Sequence, residues 1–240
     1  MQHFVQYHNY EKLQVLPRRD PPFLEGKGYI NTRVPTVKGA CGDIAFLILG
    51  IGRPKRSFFL WERFTIESVT SVGSYVTEKG RSVEEFLATG KGWQLIPPAR
   101  LAGKEFDEFK CDCANFVSFR AIDELAYLKT LIELSEQNRK NDYDESLEDF
   151  CTTLIELAPN EGEAYYYRGL VRQHLGRHSQ AGKDFHEAAS QLKSLLLFVE
   201  ENIPEEDRDP ERVDRFKWYM QESERKSIES QGPSGQNGEH

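Results

Sequence analysis

The side chains best placed to do chemistry are the cations of a short turn, Gly50-Ile-Gly-Arg53-Pro-Lys55-Arg56, where three positive charges fall within four residues. Between two apolar runs such a cluster is the basic tip of a β-hairpin. It is suited to phosphate oxygens and equally to plain solvation. The run that follows alternates, with Phe59, Trp61, Arg63 and Thr65 on one face and Phe58, Leu60, Glu62, Phe64 and Ile66 on the other. Trp61 beside a charge on the mixed face reads as a ligand surface or as core.

Catalytic chemistry has little to stand on. Glu108-Phe-Lys110, with Asp43 or Asp20 upstream, matches the bare Asp…Glu-x-Lys pattern by which some nucleases hold Mg²⁺. In a chain that is 29% charged such triplets recur by chance. Cys111-Asp-Cys113 lacks the second nearby Cys or His pair that a structural zinc site needs, so Cys41, Cys111, Cys113 and Cys151 read as reduced thiols. His174, His178 and His186 have helical spacing, but they fit a helix and its loop better than a metal. No Gly-rich phosphate loop, Ser elbow or Cys/His dyad is legible. The expectation is a non-enzymatic protein without cofactor, metal or catalytic residues.

The chain has 240 residues, 38% of them apolar, enough for one large or two small cores. Neither a signal-peptide pattern nor a membrane-length apolar run is present, which predicts a cytoplasmic protein away from membranes. Charge is unevenly shared. Residues 1–120 hold 17 Lys/Arg against 13 Asp/Glu, while residues 121–240 hold 14 against 26. A mildly basic half can place a local patch on phosphate; an acidic half cannot wrap a polyanion.

The elements that must position these residues follow from periodicity. His3–Tyr7, Tyr29–Val34, Ile44–Leu49, Phe58–Ile66 and Ser71–Thr77 read as strands, and the prolines at 17, 21 and 22 make a loop. Ser82 three residues before Glu85 predicts a short capped helix over 82–89. Trp93–Ile96 precedes two prolines, Lys104–Lys110 is a helical turn, and Asn115–Arg120 is a last strand. Beyond Ala121 apolar residues recur at three and four, so the reading is a β-rich domain at 1–120 and a helical domain at 121–200. A capping-helix region at 201–221 and a disordered tail at 222–240 complete the α+β chain.

Ala164-Tyr-Tyr-Tyr-Arg-Gly169, then Gly176, Ala181, Phe185 and Ala188, have small residues where two helices would touch and an aromatic closing the second. On these residues the segment 140–194 resembles a tetratricopeptide-repeat module, with Arg172 where an aromatic is usual. The resemblance implies a groove for a protein partner, lined by Tyr166, Tyr167, Gln173 and His174, or a brace for the first domain. Neither the partner nor an oligomeric state is implied.

An opening strand, an Asn-bearing loop, Gly42-Asp43 turning into an apolar strand, a basic turn and a long aromatic strand make residues 2–120 similar to the PUA-like β-barrels, above all their EVE-type branch. That resemblance implies a pocket for a flipped, often modified, base. Its candidate walls are Tyr7, His8, Asn9, Trp61, Trp93 and Asn115, with Arg53, Lys55 and Arg56 on phosphate, helped by Arg18 and Arg19. The alternative is a protein–protein adaptor in which the barrel is structural.

Overall fold

A computed structural model describes residues 1–9, 26–52, 56–76, 80, 82–114, 119–137, 143–208 and 210–230. The chain forms two compact units, Met1–Asn141 and Asp142–His240, the first built on a sheet and the second on helices, an α+β chain.

The first unit carries β1 (His3–Asn9), β2 (Gly26–Thr32), β3 (Ile44–Ile51), β4 (Ser57–Val76) and β5 (Ser82–Leu101), then α1 (Lys104–Asp112), β6 (Arg120–Ala121) and α2 (Leu128–Gln137). The strands run in the order β2-β5-β4-β3-β1-β6. β1 lies parallel to β3, and the other neighbours are antiparallel. Every residue of β3 is buried, as its unbroken apolar sequence requires of a strand covered on both faces. Its Ile44, Phe46 and Ile48 join Val5, Leu60 and Leu101 under Phe106 and Phe109 of α1 and Leu131 of α2. Ala45, Leu47, Leu49 and Ile51 alternate with these and form the inner face.

The sheet curls about that inner face. At the crossing of β2, β5 and β4, a Cβ on Gly90 would run into the Thr65 carbonyl, and one on Gly28 into the Phe64 ring and the Glu62 carboxylate. Only glycine admits so close an approach. The curl brings β1 to β2, its distant neighbour in the strand order: His8 Nε2 lies 3.3 Å from the Asn31 carbonyl oxygen.

Two expectations change here. Residues 82–89 are strand, because Phe86 and Ala88 are buried and the segment is hydrogen-bonded to β4 and β2 on its two edges. Glu85, the acidic residue of the expected capping box, pairs with Arg33 at 2.7 Å, and its neighbour Glu84 pairs with Lys38 at 2.9 Å. The helical period that begins after Ala121 also belongs first to the sheet. Ile122, Leu125, Leu128, Leu131 and Leu134 of the 122–137 segment pack into the sheet's core, so the units divide at 141 rather than 120. β5 passes through Pro97-Pro98 by an excursion: Leu60 pairs with Ala99 and Glu62 with Gln94, leaving the prolines no partner on β4.

The second unit is α3 (Glu145–Leu157), α4 (Gly162–His174), α5 (His178–Asn202) and α6 (Pro210–Ser230). Asp144 caps α3, its carboxylate accepting from the Ser146 and Leu147 amides at 3.0 and 3.2 Å. Ala164, Ala181 and Ala188 are fully buried, and a Cβ on Gly169 would strike the Phe185 ring. Arg172 makes charged contacts to the helices on either side. It donates to Glu148 of α3 at 2.8 Å and to Asp184 of α5 at 2.9 Å, and Asp184 also takes a two-pronged bond from Arg168. Glu222–Ser230, expected within a disordered tail, continues α6, because Ser223 and Ser227 are buried against α5; residues 231–240 lie outside the described residues. Among the described residues no helix is long and apolar enough to cross a membrane.

Candidate functional site

β1 alternates strictly, so its expected site residues part company. Val5 and Tyr7 face the helix-side core, whereas Phe4, Gln6 and His8 take the opposite, inner face. Tyr7 tilts against Phe58 at 6.0 Å and meets the Arg56 side chain over Gly50, where any Cβ would collide with both. Asn9 ends β1 opposite Gly50.

The tryptophans are also separated. Trp61 is the extra residue of a bulge between Leu60 and Glu62 and is 0% exposed. Trp93 lies on the helix side, where its Nε1 donates to the Ser135 carbonyl at 3.0 Å and the Arg63 guanidinium sits 5.0 Å above its ring. Arg63 in turn donates to Ser135 Oγ and Glu136 at 3.1 and 2.6 Å. Asn115, Arg18, Arg19, Arg53 and Lys55 lie outside the described residues, as does Asp20. The pairs the structure brings together are therefore Tyr7 with Arg56 and His8 with the Asn31 backbone.

A different set converges on the inner face. The registers place Gln6 beside Leu47, Leu47 beside Glu62, and Glu62 beside Gln94, a transverse file in which three of four side chains are polar. Glu62 is 1% exposed and Gln6 8%. Gln6 Nε2 donates to the Tyr7 carbonyl at 3.0 Å, while its Oε1 is buried without a partner among the described residues. His8 stands one inner position further along β1, and Thr32 of β2 is buried as well. Burial lowers the His8 pKa, the Asn31 carbonyl opposing it, so the ring is held neutral with one donor and one acceptor nitrogen.

The set offers amide donors and acceptors, one carboxylate acceptor, a threonine hydroxyl and a neutral imidazole, with the Phe64 ring beside Glu62 at Gly28. Such groups can read the edge of a planar heterocycle and stack on its face. The sequence held part of the signal for Glu62, a carboxylate alternating with Phe64 and Ile66; Phe58 and Leu60, expected on the same face, are turned to the helix side by the bulge at Trp61. Gln6 had none beyond its alternation with Phe4 and His8.

The triplet suited to a nuclease is dispersed. Lys110 Nζ donates to Asp107 at 2.9 Å above the Phe58 and Phe106 rings, Glu108 pairs with Lys104 at 3.6 Å, and Asp43 accepts the Gln2 amide at 2.7 Å. Among the described residues no group of three His, Cys, Asp or Glu could hold a metal ion.

In the helical unit, the groove expected on α4 is covered by α6. Tyr166 and Tyr167 are 4% and 5% exposed; the Tyr167 and Tyr219 hydroxyls lie 2.5 Å apart, and Tyr166 packs edge-on against Trp218 and Tyr219. Gln173 faces Lys226 at 3.5 Å, and exposed His174 tilts against Tyr143 at 5.9 Å. A depression of about 640 Å³ at the α4–α5 turn is lined by Glu148, Arg172, Arg177 and His178. Its charges neutralise one another, since Glu148 accepts from both arginines.

No protein-family model, no curated protein and no solved structure matches the chain.

Proposed function

We propose that the chain is a non-enzymatic binding protein whose curled sheet, a PUA-like barrel of the EVE type, accepts a base-like ligand from nucleic acid. The helical unit, a tetratricopeptide-like module, serves a protein partner. The observation that carries the first part is the polar file Gln6–Glu62–Gln94, in which Gln6 and Glu62 are buried and the Gln6 acceptor is unmet among the described residues. Leaving the buried Gln6 Oε1 unpaired costs on the order of 1–3 kcal/mol. A ligand edge with N–H donors meets that demand.

The test is a titration of the full chain with the four common nucleosides and with short single-stranded RNA and DNA, read by tryptophan fluorescence and polarisation. Binding should be lost at least tenfold on Glu62→Gln or Gln6→Leu, and Arg56→Ala should weaken only the oligonucleotides, in a salt-dependent way. Absence of binding by every probe refutes the ligand reading.

The second reading, a protein–protein adaptor with a structural sheet, is favoured by one observation: Trp61 is wholly buried. It predicts that Glu62→Gln alters stability alone.

A further inference from the structure

The seam that α6 lays on its neighbours changes character along its length. Phe216, Tyr219, Ser223, Ser227 and Ser230 recur at three or four residues, the spacing of a helix packed along one stripe. Phe216 and Tyr219 are 2% exposed, Ser223 0% and Ser227 6%. After Tyr219 the apolar contact runs out and serines continue it. Ser227 Oγ bonds the Gly182 carbonyl at 3.3 Å, whereas Ser223 Oγ and Ser230 Oγ are buried with no partner among the described residues.

The N-terminal half is held by one specific pair. Arg215 places Nη2 on both carboxylate oxygens of Glu163, at 2.6 and 2.5 Å, and Glu163 is 1% exposed. Four residues on, Tyr219 meets Tyr167, which stands four residues after Glu163. Burial opposes the Arg215 charge, yet the adjacent Glu163 outweighs it and holds the guanidinium above its ordinary pKa. The seat on α4 is thus a carboxylate and a phenol one turn apart, matched by an arginine and a phenol one turn apart.

We infer that this face of α4 and α5 is a helix-binding groove, that α6 is its resident and replaceable occupant, and that the partner is an amphipathic helix carrying Arg-x-x-x-Tyr. The inference deepens the partner reading of the helical unit and is independent of any ligand on the sheet. Charge complementarity selects the occupant: the buried Glu163 carboxylate disfavours an acidic or purely apolar helix, which would bring no cation in place of Arg215. An occupant with apolar residues at the positions of Ser223, Ser227 and Ser230 would bury more and leave fewer hydroxyls unmet than α6 does.

The probe is a fluorescein-labelled peptide of residues Pro210–Ser230, tested on the full chain and on its Ser227→Glu variant, in which a carboxylate against the Gly182 carbonyl expels α6. The variant should bind the peptide in trans at least tenfold more tightly than the native chain. Adding Glu163→Gln, or using an Arg215→Ala peptide, should each weaken binding at least tenfold, and both together no further. Hydrogen exchange on the native chain should show α6 amides opening before those of α4 and α5.

Exchange of all three helices in one step makes α6 a fixed cap and overturns the groove itself, even if Ser227→Glu fails to fold. An opened variant that ignores the peptide does the same. Binding indifferent to Glu163 and Arg215 leaves a groove but overturns the Arg-x-x-x-Tyr partner.

Discussion

Replacing Asp184 by Ala should be among the most damaging single changes in the helical unit. Asp184 is 3% exposed and accepts from Arg168 Nε at 3.1 Å, Arg168 Nη2 at 2.8 Å and Arg172 Nη1 at 2.9 Å. Its removal leaves two guanidiniums, with side chains 14% and 19% exposed, facing a vacated site. Breaking a buried pair costs about 3–5 kcal/mol. Arg172 retains Glu148 at 2.8 Å and Arg168 retains Thr152 at 3.3 Å, and both keep some water. The expectation is therefore about 2–4 kcal/mol. For a unit of this size about 4–8 °C of melting temperature goes with each kcal/mol, giving a fall of about 10–25 °C in a far-ultraviolet circular dichroism melt. Asp184→Asn, which keeps volume and one acceptor, should fall between Ala and native, while exposed Lys183→Ala on the same helix should move within about 0.5 kcal/mol. A shift under about 3 °C for Asp184→Ala would falsify the claim that this network, rather than an aromatic at position 172, fastens α4 to α5.

Three further outcomes follow from burial. His8 has a folded pKa depressed below the ordinary 6.5, so as pH falls the unfolded chain takes up a proton first. Stability should be flat above about pH 7 and decline below 6.5 by at most about 1.4 kcal/mol per pH unit, until the folded ring protonates. Denaturant titrations at several pH values should lose that slope in His8→Gln, and an unchanged slope in the variant contradicts the assignment. Trp61→Ala empties a wholly buried site and should cost about 3–5 kcal/mol in denaturant midpoint, whereas a loss under about 1 kcal/mol would mean the bulge collapses onto the gap. Cys113 is buried with its thiol pushed up to about 11, and Cys151 is buried too, while Cys41 and Cys111 are exposed. Iodoacetamide at mildly alkaline pH should therefore add two groups to the native protein by intact mass, and rapid modification of Cys113 would contradict its placement.

Much of the sheet was legible because its strands obey short-range rules. The hairpin Ile44–Leu49 and Phe58–Ile66 appears as β3 paired with β4, extended at both ends, but the bulge at Trp61 breaks the expected alternation, turning Phe58 and Leu60 to the helix side and Glu62 and Phe64 inward. What was illegible depends on partners distant in sequence. Residues 82–89 carry a helix-start signal, yet β4 and β2 flank them and two ladders outweigh a local cap worth about 1 kcal/mol. The 122–137 segment has the same helical period as the chain beyond it, and period alone says nothing about which core the apolar stripe enters. Tyr7 and His8, expected as walls of one pocket, turn to opposite faces for a simpler reason: they are neighbours on a strand, and neighbours on a strand face opposite ways.

The residues that most define each unit's seat are the ones that violate its pattern. Glu62 interrupts an apolar strand face and Glu163 shares a buried helical face with Tyr167, and each is 1% exposed. Composition and period predict where apolar side chains go, and an exposed leucine is uninformative because folded surfaces are full of apolar atoms. A buried carboxylate is informative because its desolvation must be offset by a partner of known type. For Glu163 that partner is Arg215, which explains why α6 sits on the face where a groove was expected, and why the tail's first residues are helical. For the sheet the unmet acceptor is Gln6 Oε1, which shares the inner face with Glu62. The sheet is therefore best examined by substitutions that keep the size of Glu62 and Gln6 and change only what they can accept.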